Sequence, residues 1–458
     1  MIQLKRIKVK NFKCFSDEVD LELGKLTLFT GANSTGKSSL MYSVLGALQS
    51  AHFPFEYSAN GRYVNMGNYA EMVYAHNKSL PIELSFSLVE DGVEINISTV
   101  WINSNVNDQA VLSEYKANSN SFEFSVKQKE KDNNTEYLLS LDYQPDKNHS
   151  RKDLGLDRVL ADIYRIAELY KASHQGQDIR DELKAGFDQR TTVKDVALII
   201  NKTGIRCPDN VRAMMAFGIV NSMTMEAIKH YKQKMNFISS YRLAAERIYL
   251  EEGLDNGKIQ ASGKGFVNQV LQWRESNRHN YESLIGVMRS MGMLHDIEPK
   301  RIGGGQFSVD VTIHKDGPKA SLSDVGFGIS QLLPIVVGDI ELGDESTLFA
   351  AQPEIHLHPN AQANYGDYIV GQINNNKNYI IETHSEYFLN RIRLAIVKGQ
   401  IKEDDIRVYY LSQALDTSKL YPVRFTKSGQ ILDAPEDFFE TYMIDVMNIA
   451  MEAVGDEA

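Results

Sequence analysis

Residues 25–48 read KLTLFTGANSTGKSSLMYSVLGAL, and this stretch decides the fold. A β-rich run, KLTLFT, leads into Gly31-Ala32-Asn33-Ser34-Thr35-Gly36-Lys37-Ser38, and an apolar-periodic helix follows from Ser39. The pattern G-x-x-x-x-G-K-[ST] therefore stands between a strand and a helix, the context in which it cradles phosphate. Gly31 and Gly36 let the backbone curl so that successive N–H groups point at phosphate oxygens. The helix N-terminus adds the positive end of its dipole. Lys37 is placed to reach the β- and γ-phosphates, and the Ser38 hydroxyl to ligate Mg²⁺. Gly31 to Ser39 are thus the expected nucleotide cradle.

The chain around this loop has 458 residues, which suits two domains or one domain carrying a large insertion. Apolar residues make up 43% and charged residues 24%, the balance of a soluble globular protein. A net charge of -11 argues against a surface that is basic throughout, though a local basic patch stays open. Only two cysteines occur, Cys14 and Cys207, so a disulfide framework is not expected and the chain reads as intracellular. The N-terminus MIQLKRIKVKNFKCF has five basic residues interleaved with apolar ones and no signal-peptide core. No apolar run approaches the roughly 20 residues needed to cross a bilayer. The expected location is cytoplasmic, with no membrane partner.

A second acidic strand, needed to complete a phosphate-loop site, comes only at TLFAAQPEIHLHPNAQ, residues 347–362, so the domain reads as interrupted. Between the two, residues 82–143 show strand-like alternation in IELSFSLVE, VEINISTVWI, SFEFSVKQK and EYLLSLDY. Residues 157–235 turn helical in pattern, as in LDRVLADIYRIAELYKAS and NVRAMMAFGIVNSMTMEAIKHYKQKM. The polar stretches 129–134 and 142–153 are candidate flexible connections.

Past residue 305 the strand pattern returns in GQFSVDVTIHKDG, followed by SLSDVGFGISQLLPIVVGDI. Ser321, Ser323, Asp324, Gly326 and Gly328 form a small-residue turn before an apolar helix, a second place for phosphate or a plain capped helix. Two such turns in one chain make sense if each nucleotide is held between two subunits. In NKNYIIETHSEYFLNRIRLAI, YIIET reads as a buried strand with Thr383, His384 and Ser385 at its C-terminal end. Ligands bind at that end of a parallel sheet, where His384 could meet a γ-phosphate or an attacking water. His356 and His358, alternating as on a strand, could suggest a metal site, but no second ligand cluster accompanies them.

Together these residues resemble the ABC-type ATPases of the SMC/RecF/OLD group. KRIKVKNFKCF is similar to the strand that opens those proteins, GANSTGKSS to their Walker A loop and SDVGFGISQLLP to a degenerate ABC signature. QPEIHLHP is similar to the Walker B and D-loop segment and THSE to the switch histidine. ISSYRLAAERIY and GQILDAPEDFFE fit a subgroup, the short OLD-like AAA ATPases of bacterial anti-phage defence operons of the PARIS or Septu type. The resemblance implies an α/β fold, an ABC-type P-loop ATPase head with a mixed sheet flanked by helices and a large, mainly helical insertion. Residues 1–100 would be the N-terminal half of the head, 101–235 the insertion, β-rich and then helical, and 236–458 the C-terminal half with a short tail. ATP and Mg²⁺ would be the cofactors, and ATP would drive head-to-tail pairing of two copies, or a higher oligomer. Ser323, Gly326 and Gly328 would meet the γ-phosphate held by the partner's loop. A separately encoded nuclease or toxin would be the effector, with phage protein or DNA as a further partner.

The family pattern is acidic at position 351, where it helps hold the magnesium shell, and often Glu at 352, where it polarises water. This chain has Ala351 and Gln352. Alanine offers no oxygen, and a neutral amide is no general base. Three explanations stand: a Glu→Ala change made to trap an ATP-bound state, a natural binding-only ATPase, or a site that uses Glu354 or Glu382 instead. Binding is expected to survive and hydrolysis to be weak or absent. Gln352, Glu354 and His384 are the candidate catalytic residues, with Ala351 at the place of an expected glutamate. Besides a defence sensor and scaffold, a RecF- or SMC-like DNA-maintenance ATPase is the alternative, with Lys5, Lys8, Lys10 and Lys13 as its basic track.

Overall fold

In a computed structural model, residues 2–104, 107–129, 136–144, 190–201, 204–206, 211–252, 258–414, 417–435 and 438 are described. Residues Met1–Glu22 and Tyr42–Gln233 form one compact unit, and Leu23–Met41 with Lys234–Ala458 form another.

The first unit is a nine-stranded antiparallel sheet. Its strands are β1 (Ile2–Lys10) and β2 (Val19–Glu22), then β4 (Ile82–Glu90), β5 (Val93–Asn103), β6 (Ala110–Ser119), β7 (Phe122–Gln128), β8 (Glu136–Tyr143), β9 (Thr191–Asn201) and β10 (Gly204–Arg206), with β3 reserved for the second unit. The order is β10-β9-β8-β7-β6-β5-β4-β1-β2, so the sheet draws on both sides of residue 100. Alternating burial along β5 (Ile95, Ile97, Thr99, Trp101 inward) explains why these runs settle as half-buried strands. Helix α3 (Val211–Gln233) lies across β1, β4, β8 and β9, burying Phe217, Val220, Ala227 and Tyr231 at helical spacing. Helices α1 (Lys37–Gln49) and the single turn α2 (Tyr69–Met72) precede it in the chain.

The helical expectation for 157–235 is met by α3 but not by 191–201 and 204–206, which form β9 and β10. The run TTVKDVALII is rich in β-branched residues and finds a partner in β8, so pairing wins. Residues 157–189 lie outside the described residues, as do most of the two polar connections.

The second unit is built on a seven-stranded sheet in the order β11-β16-β17-β3-β18-β19-β20. Its strands are β3 (Leu26–Gly31), β11 (Met235–Ile238), β16 (Thr347–Ala351), β17 (Asn378–Glu382), β18 (Ile406–Ala414), β19 (Thr417–Phe425) and β20 (Ile431–Leu432). From β11 to β18 every pairing is parallel, and β3, β16 and β17 are continuously apolar strands, as both faces are covered. A smaller sheet joins β12 (Tyr249–Leu250), β14 (Gln306–Thr312), β13 (Asp296–Gly303) and β15 (Lys319–Ser321), with α4 (Phe266–Ser276) and α5 (Arg278–Ser290) on β13. Helix α6 (Phe327–Leu342) packs on β11 and β16, and α7 (Pro359–Asn374) on β17 and α8 (Glu386–Val397). Buried Asp339 of α6 ties these layers together, accepting from Tyr368 and Tyr379 and pairing with Lys377 at 3.3 Å.

This mixed α/β architecture, sheets flanked by helices, is the one the resemblance implies. Among the described residues no helix is long and apolar enough to cross a membrane. One local expectation is overturned: residues 353–356 form a turn and 357–358 are irregular, so His356 and His358 share no strand face. The His358 ring caps α7 through the Asn360 N–H, whereas the His356 ring packs against Phe327 at 5.7 Å.

Candidate nucleotide site

β3 is the inner strand between β17 and β18, so its C-terminal end opens at the middle of the parallel edge. At Gly31 the chain takes φ 132°, and a Cβ there would lie 2.0 Å from the Leu411 carbonyl oxygen, so only glycine fits. Ser34 and Gly36 also adopt positive φ, 62° and 89°, and curl the loop back on itself. The Thr35 hydroxyl closes the curl by donating to the Ala32 carbonyl at 2.9 Å. Helix α1 then begins at Lys37, two residues earlier than its apolar pattern, with the first-turn amides of the helix lacking intrahelical acceptors.

Lys37 is buried and folds over the loop, its Nζ donating to the carbonyls of Gly31 at 3.1 Å and Ala32 at 2.5 Å. Burial lowers its pKa, and the carboxylates of Glu382 and Glu354 oppose that shift. The Ser38 hydroxyl donates to Glu382 Oε2 at 2.5 Å. Gln352 donates twice to the same residue, its side-chain amide to Oε1 at 3.4 Å and its backbone N–H to the carbonyl at 2.7 Å. Glu382 is buried, which raises its pKa, while Ser38 and Lys37 pull it back towards the charged form.

Glu354 lies in the turn after β16 and accepts the His384 backbone N–H at 2.6 Å through Oε1. Its Oε2 is buried with no hydrogen-bond partner. Burial raises its pKa too, opposed by that His384 amide and by the nearby Thr383 hydroxyl, whose approach to the carboxylate falls short of a well-formed hydrogen bond. Two carboxylates held towards neutrality beside a lysine form the electrostatic pattern of a reactive site. The next residues are fixed by a relay: Thr383 Oγ1 accepts the Ser385 N–H at 3.0 Å, and Ser385 Oγ accepts the Phe388 N–H at 3.0 Å and donates to Gln362 at 2.5 Å.

Sequence reasoning singled out the stretch 238–249 without seeing what Arg242 does. This buried guanidinium donates to the carbonyls of Ser239 and Ala351 at 3.1 Å and of Gln352 at 3.0 Å, and to the Gln331 side chain at 3.4 Å. It thereby ties the end of β16 to α6. Desolvation lowers its pKa to about 10, so the guanidinium stays charged at neutral pH. Gln352, held at φ 47°, is fixed at both backbone ends by this arginine and by Glu382.

Ala351 is buried at the last position of β16, directly in register with Glu382. Ser323 sits in the short 3₁₀ turn 322–324, its hydroxyl 2.9 Å from that of Ser321, and Asp324 holds Arg247 through two contacts of 2.7 and 2.9 Å. Gly326 is the N-cap of α6, and a Cβ on Gly328 would stand 2.7 Å from the His356 carbonyl oxygen. The signature-like turn is therefore seated on the turn that carries Glu354.

Among the described residues no group of three or more His, Cys, Asp or Glu gathers as a metal site. A magnesium ion needs less, because it keeps waters and takes phosphate oxygens. The Ser38 hydroxyl and Glu382 carboxylate, both hard oxygen donors beside the loop, fit that need.

The family profile described as AAA ATPase domain matches residues 2–389. No curated protein matches the chain in sequence. Solved structures similar to it include the SMC head domain from Thermotoga maritima, at 10% identity and TM-score 0.40, covering 92% of this chain and 99% of that one. An Smc head with an extended coiled coil, bound to the C-terminal domain of ScpA, from Pyrococcus furiosus, aligns at 9% identity and TM-score 0.43 over 99% of this chain and 100% of that one. An Smc head bound to the C-winged helix domain of ScpA aligns at 9% identity and TM-score 0.45, over 93% and 98%.

Proposed function

Because the chain belongs to the AAA ATPase domain family and is an ATPase of the P-loop kind, we propose that it binds ATP with Mg²⁺ at the C-terminal ends of β3, β16 and β17 and uses the nucleotide to pair two copies head to tail. The observation that carries this is Lys37, curled over its own loop and facing the carboxylates of buried Glu382 and part-buried Glu354. Lys37 exchanges the Gly31 and Ala32 carbonyls for phosphate oxygens, while the loop amides and the start of α1 bind the remaining phosphate charge. Magnesium, when bound, neutralises charge on the β- and γ-phosphates. Gln352 cannot take a proton, so turnover is slow. The unpartnered Glu354 Oε2 is the carboxylate oxygen left to accept one from an attacking water, with His384 beside it. Ser323, Gly326 and Gly328 act on the nucleotide of the second copy.

The role built on this switch is that of sensor and scaffold in an anti-phage system, with pairing controlling a separately encoded nuclease or toxin. Its support is the resemblance of the loop, QPEIHLHP, THSE and GQILDAPEDFFE stretches to OLD-like ATPases. Replacing Lys37 with Ala tests both levels. Calorimetry is expected to register ATP binding weakened about a hundredfold, about 2.8 kcal/mol. Co-expressed with its neighbouring gene, the variant is expected to lose protection in a plaque assay. Unchanged affinity would remove the nucleotide site, and unchanged protection the defence role.

A DNA-maintenance ATPase is equally compatible with the family. Its proposed basic track is heavily engaged: Lys5 pairs with Glu22 at 3.8 Å, Lys8 with Asp20 at 2.8 Å and Lys10 with Glu83 at 3.1 Å, and Lys13 donates to the Met66 carbonyl at 3.3 Å. DNA binding that falls steeply with salt would favour that role.

A further inference from the structure

We infer that Glu382, at the end of β17, is the carboxylate of the magnesium site, in place of the acidic residue that position 351 lacks. The inference rests on the ATP reading above and assigns one residue within it. Three observations carry it. First, Glu382 Oε2 is 2.5 Å from the Ser38 hydroxyl, the very oxygen that a phosphate loop offers to magnesium. A carboxylate in contact with that hydroxyl reaches the same ion or its first waters.

Second, the sheet order puts β17 between β16 and β3, so Glu382 is one strand nearer the loop than Ala351 is. The two residues are in register on parallel strands about 4.8 Å apart, and their side chains share a face. A second carboxylate at 351 would crowd Glu382 with like charge, whereas alanine leaves it alone there.

Third, the surroundings are arranged to hold Glu382 in place. Ser38 donates to one oxygen and the Gln352 amide to the other, a donation that a glutamate at 352 could not make. The residue is only 4% exposed, and a buried carboxylate is matched by a cation, here the Lys37 ammonium until that turns to phosphate. Gln352 thus acts as a donor that orients Glu382, and the AQPE sequence and Glu382 form one matched set.

The test separates metal use from loop integrity. A fluorescent N-methylanthraniloyl derivative of ATP is titrated into the full chain with Mg²⁺ and with EDTA, for the native protein and Glu382→Gln. The native chain is expected to bind at least about tenfold more tightly with Mg²⁺. Glu382→Gln is expected to lose that gain, its affinities with Mg²⁺ and with EDTA coming together whatever their common value. Should the glutamine form not fold, Glu382→Ala serves for the same comparison. A full magnesium gain in a folded variant would overturn the inference while leaving the ATP reading intact. A native chain that binds no nucleotide in either condition would overturn both.

Discussion

At Ala351 a carboxylate can be restored without touching the loop, and the outcome divides the two accounts of this site. With Glu382 already beside Ser38, Ala351→Glu adds a like charge in register and is expected to raise ATP turnover less than about threefold. A gain above about tenfold would return the role to position 351 and make Ala351 an off switch. Glu354 is the complementary position. Its unpartnered Oε2 is the proposed proton acceptor, so Glu354→Gln is expected to lower turnover about a hundredfold with ATP affinity little changed. Equal loss of affinity and turnover would instead make Glu354 a support for the His384 amide, which its Oε1 holds at 2.6 Å. Motif spacing singles out Gly31 to Ser39 because local backbone geometry dictates those residue types. Arg242 escaped it, since a lysine or arginine in a polar stretch looks the same whether it is solvated or buried beneath a strand end.

Among the elements, α8 anchors the loop that carries His384. Its N-cap, Ser385, satisfies the Phe388 amide and also binds Gln362 of α7, so one hydroxyl joins two helices just behind His384. Ser385→Ala is expected to destabilise the protein by about 1–2 kcal/mol. A lowered denaturation midpoint, with turnover reduced alongside it, is the outcome that checks this. A change confined to the midpoint would mean that the cap does not position the loop. The strand β17 itself was legible, as the apolar run YIIET bounded by polar residues. The reading of the 191–206 stretch was not, because an apolar β-branched run becomes a strand only when an open edge such as β8 is available.

For the whole molecule the prediction concerns two copies. If Ser323, Gly326 and Gly328 act on a partner's nucleotide, Ser323→Arg obstructs the approach while its own loop is untouched. Light scattering is then expected to lose any ATP-dependent increase in mass, with ATP affinity within about threefold of native and turnover down about tenfold. A variant that still pairs would remove the signature-like turn from the interface.

The residues 25–48 determined by themselves that a strand, a phosphate loop and a helix occur in that order, because glycine conformations, apolar periodicity and a lysine at fixed spacing are local properties. They also carried the family, together with QPEIHLHP and THSE. Which carboxylate faces Ser38 was decided only in three dimensions. Ser38 and Glu382 are 344 positions apart and meet because β17, not β16, lies next to β3. Strand order follows from how apolar strands and their covering helices bury surface together, and no stretch of sequence encodes that order alone. A missing acid at 351 reads as a defect along the chain, while in the folded sheet the neighbouring strand brings a buried carboxylate to the same edge.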